Sequence, residues 1–244
     1  MSKIRLFVEG ALNTGGVVTL DKDQSHYLVS VMRVKLGAKV TLFNGVDGEW
    51  QASISEAHKK AVRLTLESQS RTQEKEPDLW LVFAPIKKGR LDFMVQKATE
   101  MGASHLIPMM TQYTNVDRLK EDRLRANVLE AAEQCDRLQV PTVSDLSKLE
   151  QILKDWPGDR LIMFCDEDLS GRSALEALTA AADKEIPKPW GILIGPEGGF
   201  SPTERDLIKG HKNCVVVSLG PRILRADTAA IAALSLWQTA LGDW

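Results

Sequence analysis

Two glycine-proline turns near the C-terminal end, each closing an apolar run, hold the residues of this chain best placed to do chemistry. The first lies in WGILIGPEGGFSPTE, Trp190–Glu204, and the second in VVVSLGPRILRADTAAIAALS, Val215–Ser235. Gly198 and Gly199 lack a Cβ, so the backbone there can take positive φ and lie directly against a flat ligand. Ile194, Leu219, Ile223 and Leu224 supply apolar walls. Gly195, Gly198, Gly199 and Gly220 also have a plainer reading as turn glycines that relieve strain after strands. Against it stands the pairing of two such turns on successive units at one end of a sheet. Glu197 is the acid of the first loop, and Arg225 is a cation of the second, just ahead of a helix start. The glycines do not follow the G-x-G-x-x-G pattern of dinucleotide folds, so the pattern points to a different small molecule.

The elements that must position these loops are legible around them. Each Ile/Leu/Val-rich run reads as a short strand buried on both faces. Ser201, Pro202 and Glu204 predict a capping box with proline at the first helical position. Asp227 or Thr228 is the predicted cap of the alanine-rich helix after the second loop. Two successive strand-loop-helix units put both loops at the carboxyl ends of parallel strands, where open α/β sheets bind ligands. Upstream, LWLVFAPI, HLIPMM and RLIMFCDE read as further strands. Leu91, Met94, Val95, Ala98 and Met101 form a helical stripe, as do Leu124, Val128, Ala131 and Cys135. Shorter helices are expected at Leu149–Trp156 and Ser173–Asp183. Strand-helix alternation of this kind implies an α/β fold with a mostly parallel sheet covered on both faces.

Before that lies a different pattern. KIRLFVEG, GVVTLD, KVTLFNG, EWQASISEA and AVRLTLE have strand composition, with turns at Asn44-Gly45 and Asp47-Gly48 and one short helix over Gln24–Arg33. They suggest a small β-barrel over residues 1–70. The polar SQSRTQEKEPD, Ser68–Asp78, is the linker candidate, giving a linker at 71–78 and an α/β domain at 79–244.

LIGPEGG followed by LGPRILRADTA resembles the cofactor-binding pair of the bacterial 16S ribosomal RNA uracil-N3 methyltransferases, of the SPOUT or α/β-knot superfamily. HYLVSVMRVKLGAKVTLFNG from His26, KKGRLDFMVQKATEMGASHLIP from Lys87 and EAAEQCDRLQVP from Glu130 extend the resemblance along the chain. It implies a PUA-like barrel that helps hold RNA, followed by a knotted methyltransferase domain. The cofactor it implies is S-adenosyl-L-methionine, held by Ile194, Gly195, Pro196, Glu197, Gly198, Gly199, Leu219, Gly220, Ile223, Leu224 and Thr228. It implies methylation at N3 of a uridine in 16S ribosomal RNA, within the small ribosomal subunit, by a homodimer. Uracil N3 carries a proton at neutral pH, so a base or a cation that stabilises the uracil anion must help. Arg225 is the candidate for the cationic role, with a surface salt bridge as its plainer reading. Glu197 is either a loop-structuring acceptor or a group that orients substrate or takes the proton. Arg33, Lys87, Lys88 and Arg90 are the expected RNA contacts, among basic segments that also include His58–Arg63 and Arg118–Arg125. Many members have Thr-Glu where this chain has Ala226-Asp227, a carboxylate one methylene shorter.

The composition sets bounds. A chain of 244 residues can bury a core in one large or two modest domains. Its net charge of −2 argues against a surface coated in basic charge, while leaving room for a local phosphate track. Cys135, Cys165 and Cys214 are read as reduced, mostly buried thiols. No signal-peptide pattern, membrane-length apolar run or metal-ligand spacing is present, so the expectation is a cytoplasmic protein working without metal. The alternative function is a non-catalytic RNA-binding or ribosome-assembly protein retaining the fold. A nucleotide-dependent α/β enzyme is a third reading, weakened by the missing Walker loop.

Overall fold

The computed structural model describes residues 4–116, 119–166, 168, 171–181 and 188–244. The chain divides into two compact units, one of residues 1–75 with 132–140, the other of residues 76–131 with 141–244.

The first unit is a five-stranded sheet of β1 (Arg5–Phe7), β2 (Val17–Thr19), β3 (Lys39–Phe43), β4 (Glu49–Glu56) and β5 (Arg63–Arg71), in the order β1-β3-β4-β5-β2. β1 runs parallel to β3 and the other pairs are antiparallel. Helix α1 (Lys22–His26) continues into a π-helical turn at Tyr27–Val31. Val40, Leu42, Ala52, Ile54, Leu64 and Leu66, at alternate strand positions, form the core together with Leu28 of the π-helical turn. Arg5 is buried beside them. Its Nε donates to Glu49 Oε2 at 3.0 Å, its guanidinium stacks 3.7 Å from the Phe43 ring centroid, and its two terminal nitrogens donate to the Ala132 and Arg137 carbonyls. With Phe7 N donating to Glu133 and Arg71 donating to the Asp136 carbonyl, these bonds tie residues 132–140 to this unit, which the sequence assigned to the α/β domain.

The linker expectation also shifts. Ser68–Arg71 is strand, pairing with β4 from Gln51 back to Glu49. A polar run can still be strand when its side chains face solvent and its backbone is satisfied by the ladder.

The second unit contains β6 (Leu79–Phe83), α2 (Lys88–Glu100), β7 (His105–Met110), most of α3 (Glu121–Gln134), β8 (Thr142–Val143), β9 (Ser147–Lys148), α4 (Leu149–Lys154), β10 (Leu161–Cys165), β11 (Arg172–Ser173), α5 (Ala174–Ala181), β12 (Trp190–Ile194), α6 (Pro202–Lys209), β13 (Cys214–Ser218) and α7 (Ala226–Leu241). All strand pairs are parallel, in the order β11-β13-β10-β12-β6-β7-β8, with β9 added to β7. The far end of the helix expected at Ser173–Asp183, and Arg118 of the basic run, lie outside the described residues.

One expectation about the key strands needs correction. β12 is buried along its whole length, but β13 is half-buried at all positions except Val217, because only the two-residue β11 lies beyond it. The two strands, successive in the chain, are separated in the sheet by β10. Helix α7 covers this region, packing on α2, α5 and β12 with Ala226, Ala230 and Ala233 buried. Their small side chains allow the helix to approach its neighbours closely.

Candidate active site

The loops after β12 and β13 open at the same end of the parallel sheet, on either side of the carboxyl end of β10. Between them lies a cleft of about 460 Å³, a size that suits a nucleoside-scale ligand. Ile194, Gly195, Pro196, Glu197 and Gly199 line it from the first loop; Ile223, Leu224 and Arg225 line it from the second. Leu219 lines a smaller adjoining hollow of about 60 Å³ that shares Ile223 and Leu224 with the main cleft.

Local chemistry explains the first loop. Ser201 caps α6: its Oγ accepts from Glu204 N at 3.3 Å, while Glu204 Oε2 accepts from Ser201 N at 2.9 Å. The predicted capping box is therefore present, with Pro202 at the helix start. Glu204 is buried and does more, its Oε1 accepting from Gln112 N at 2.7 Å. Gly199 has φ +69°, a conformation that favours glycine. Gly195 serves packing instead: a Cβ there would lie 2.7 Å from the Phe200 ring. Gly198 stands outside the lining, and a Cβ on it would meet Tyr113 Cβ at 3.3 Å. A side chain at Gly198 would therefore face Tyr113 rather than the cleft.

The second loop is looser. Gly220 has φ +112° and open space where a Cβ would be. Helix α7 begins two to three residues earlier than expected, with Arg225 as its extended N-cap residue at φ −68° and ψ 154°. Asp227 and Thr228 fall in the first turn, where the Asp227 carboxylate accepts from Thr228 N at 3.0 Å and faces the positive end of the helix dipole. Thr228 is exposed and does not line the cleft.

Glu197 and Arg225 share the cleft, but Glu197 is engaged: Arg90 Nη1 donates to its Oε1 at 2.6 Å. The Arg225 side chain forms no ion pair among the described residues, and its N-cap position carries no side-chain capping bond. Lys87 and Arg90, at the start of α2, also line the cleft, whereas Lys88 is exposed outside it. Arg33 belongs to the barrel unit, exposed and at φ +52°, an uncommon conformation for arginine. In the run ending at Arg125, Arg123 pairs with Asp92 and Arg125 with Asp145, so these cations are matched within the unit.

Sequence reasoning missed Cys165, Phe200, Ala226 and Ala229, which complete the lining. The signal for Cys165 was its place as the last residue of an apolar strand between two loop-bearing strands. Burial pushes its thiol up to about 12, which keeps it neutral and a poor nucleophile at neutral pH. Among the described residues Cys135, Cys165 and Cys214 form no disulfide, and each residue is half-buried, less enclosed than expected. Among the described residues no group of three or more His, Cys, Asp or Glu could hold a metal ion, and no helix is long and apolar enough to cross a membrane.

Comparison with known proteins agrees with this geometry. A family described as an RNA methyltransferase domain matches residues 73–238, and an RNA methyltransferase PUA domain matches residues 20–67. The ribosomal RNA small subunit methyltransferase E of Rickettsia conorii is 31% identical, over 95% of this chain and 93% of its own. The Bacillus subtilis protein of that name is 29% identical, over 87% and 86%. A Legionella pneumophila structure, described as a methyltransferase in complex with bound cofactor SAM, superposes with a TM-score of 0.87 at 30% identity and covers 100% of both chains. A Neisseria gonorrhoeae ribosomal RNA small subunit methyltransferase E bound to S-adenosyl methionine shares the fold, with a TM-score of 0.87 at 24% identity over 99% of each chain.

Proposed function

This chain belongs to the family of the ribosomal RNA small subunit methyltransferases E, and from that premise we propose that it methylates N3 of a uridine in 16S ribosomal RNA, using S-adenosylmethionine. The fold is that of the family, a PUA-like barrel followed by an α/β-knot domain. One observation carries the functional reading: two glycine-proline loops converge on a single cleft that also contains an arginine without an ion-pair partner among the described residues.

The residues fit the cofactor. Ile194, Phe200, Ile223 and Leu224 offer apolar surface, and the backbone of Gly195, Pro196 and Gly199 lines the cleft where an adenine edge would lie. We assign cofactor binding to these loops, with Leu219 at their margin. S-adenosylmethionine supplies a methyl group on a positively charged sulfonium. What the chain must do is hold the uracil, dispose of its N3 proton and keep the resulting charge stable. Arg225 takes the last role, since a fixed cation at developing negative charge lowers the barrier directly. Lys87 and Lys88, with Arg33 on the barrel unit, are assigned to RNA phosphates, which position without reading sequence. We further propose that the protein works as a homodimer in the cytoplasm, where small ribosomal subunits are assembled.

The test is mass mapping of uridines in 16S ribosomal RNA from cells lacking this gene, complemented by the purified protein. Loss and restoration of one N3-methyluridine is the expected result. An unchanged modification map, with no methyl transfer in vitro, would leave a non-catalytic RNA-binding protein.

A further inference from the structure

The cleft holds more cationic side chains than a bound sulfonium compound calls for. Lys87 precedes α2, Arg90 stands in its first turn, and Arg225 caps α7; all three line the cleft. Among the described residues the only other titratable groups lining it are Glu197 and Cys165, and burial keeps the latter a neutral thiol. Glu197 is bound to Arg90 at 2.6 Å, the two side chains being 42% and 37% exposed. A guanidinium has five N–H donors in a planar fork. The Glu197 contact occupies one of them, so the carboxylate can fix the direction of Arg90 while leaving donors for a second acceptor.

Uracil losing its N3 proton is an acceptor of matching shape. The N3–H bond breaks, the proton passes to solvent water, and its electron pair stays in the ring, spread over O2, N3 and O4. Two carbonyl oxygens then flank the nitrogen that must remain open. Resting on the reading that this site acts on uracil N3, we propose that Arg90, oriented by Glu197, and Arg225 form a guanidinium pair that binds the ring as its N3 anion, one at each carbonyl edge. Arg90 is thereby a catalytic residue rather than a phosphate contact, and Glu197 is a positioning residue rather than the proton acceptor.

The arrangement also selects the base. Cytosine carries an amino group where uracil has O4, so a guanidinium donor would face another donor. A site whose polar groups are left unpaired by the wrong substrate rejects it by about 10⁴–10⁵-fold.

The experiment is single-turnover methyl transfer by the full chain to unmodified small subunits, followed from about pH 6 to about pH 10. Cofactor affinity by calorimetry and RNA affinity against salt are measured on the same proteins. An opposite charge within reach lowers an acid's pKa by about 1–3 units. Arg90→Ala should therefore move the midpoint of the rate profile upward by about one unit or more, with a neutral-pH rate about tenfold lower or worse and a high-pH plateau approaching wild type. Cofactor affinity should barely move. Arg90→Lys keeps the charge but not the fork and should give an intermediate midpoint. Glu197→Gln should shift the midpoint in the same direction by less.

Three results overturn the proposal. Arg90→Ala with an unmoved midpoint, weaker RNA binding and a salt slope reduced by about one would make Arg90 a phosphate contact. A Glu197→Gln enzyme dead at every pH, beside an Arg90→Ala enzyme with an unmoved midpoint, would make Glu197 the base. A wild-type enzyme that marks no uracil N3 would overturn the functional reading and this inference with it, whereas the first two results overturn the inference alone.

Discussion

Gly195–Ser201 and Leu219–Arg225 wall the same cleft, and they are held in opposite ways. In the first loop, Gly199 N donates to Pro196 O at 3.0 Å, Phe200 is buried with its ring 5.4 Å from that of Phe164, and Ser201 and Glu204 satisfy each other. In the second, the local bond is Gly220 N to Ser218 Oγ at 3.3 Å, and Ile223 is 82% exposed. The first loop is a finished wall before any ligand arrives, so binding need not order it. The second keeps its apolar side chain in water, and covering such a residue contributes about 1.5–3 kcal/mol. The first loop is thus held in shape by its own contacts, while the second presents Ile223 and Arg225 to solvent.

The largest expected effect breaks the two loops apart by function. Arg225→Ala should lower the methyl-transfer rate by about a hundred- to a thousandfold, about 2.7–4 kcal/mol, with much less change in cofactor affinity. Single-turnover kinetics beside calorimetry measures both; equal losses would make Arg225 part of the cofactor wall.

Glu204→Ala attacks the rigid loop from beneath. It strips the acceptor from Ser201 N, Ser201 Oγ and Gln112 N, and a buried donor left unpaired costs about 1–3 kcal/mol. Denaturant unfolding should show a loss in that range or above it. A change of a few tenths would mean that the first loop is no better fastened than the second.

Gly198→Val sharpens the same point more gently. Its Cβ would press on Tyr113 at 3.3 Å, so overpacking should cost about 1–3 kcal/mol of stability. Cofactor affinity should fall only as far as the loop is displaced. Loss of cofactor binding at unchanged stability would return Gly198 to the ligand face.

The smallest effect lies in the open loop. Ile223→Ser should leave stability within about 0.5 kcal/mol, as surface changes do. It should nonetheless weaken cofactor binding several-fold by calorimetry, since the side chain is covered only in the complex. Unaltered affinity would place the ligand away from Ile223.

The strand-loop-helix units were readable because their signals are local. Apolar runs mark β6, β10 and β12, and Ser201-Pro202-x-Glu204 marks the start of α6 within four residues. β8, β9 and β11 left no periodic trace because each is two residues long. The cap of α7 was misplaced by favouring Asp227 and Thr228 on propensity; Arg225 holds that position through backbone geometry without a side-chain bond. Gly198 looked equivalent to Gly199, since a glycine's φ and its neighbours are not written in its letter.

By itself, the amino-acid sequence determined the classes of element and the end of the sheet where the loops must lie, both of which follow from interactions spanning a few residues. The chemistry expected of those loops came from the resemblance that LIGPEGG and LGPRILRADTA carry. Tertiary structure alone decided that β10 enters between β12 and β13, that Arg5 draws residues 132–140 into the barrel unit, and that Arg90 meets Glu197. In each case the partners are far apart in the chain and meet only once the sheets have formed; for Arg5 and for β10, a buried charge or an unpaired strand edge then has few places to be satisfied.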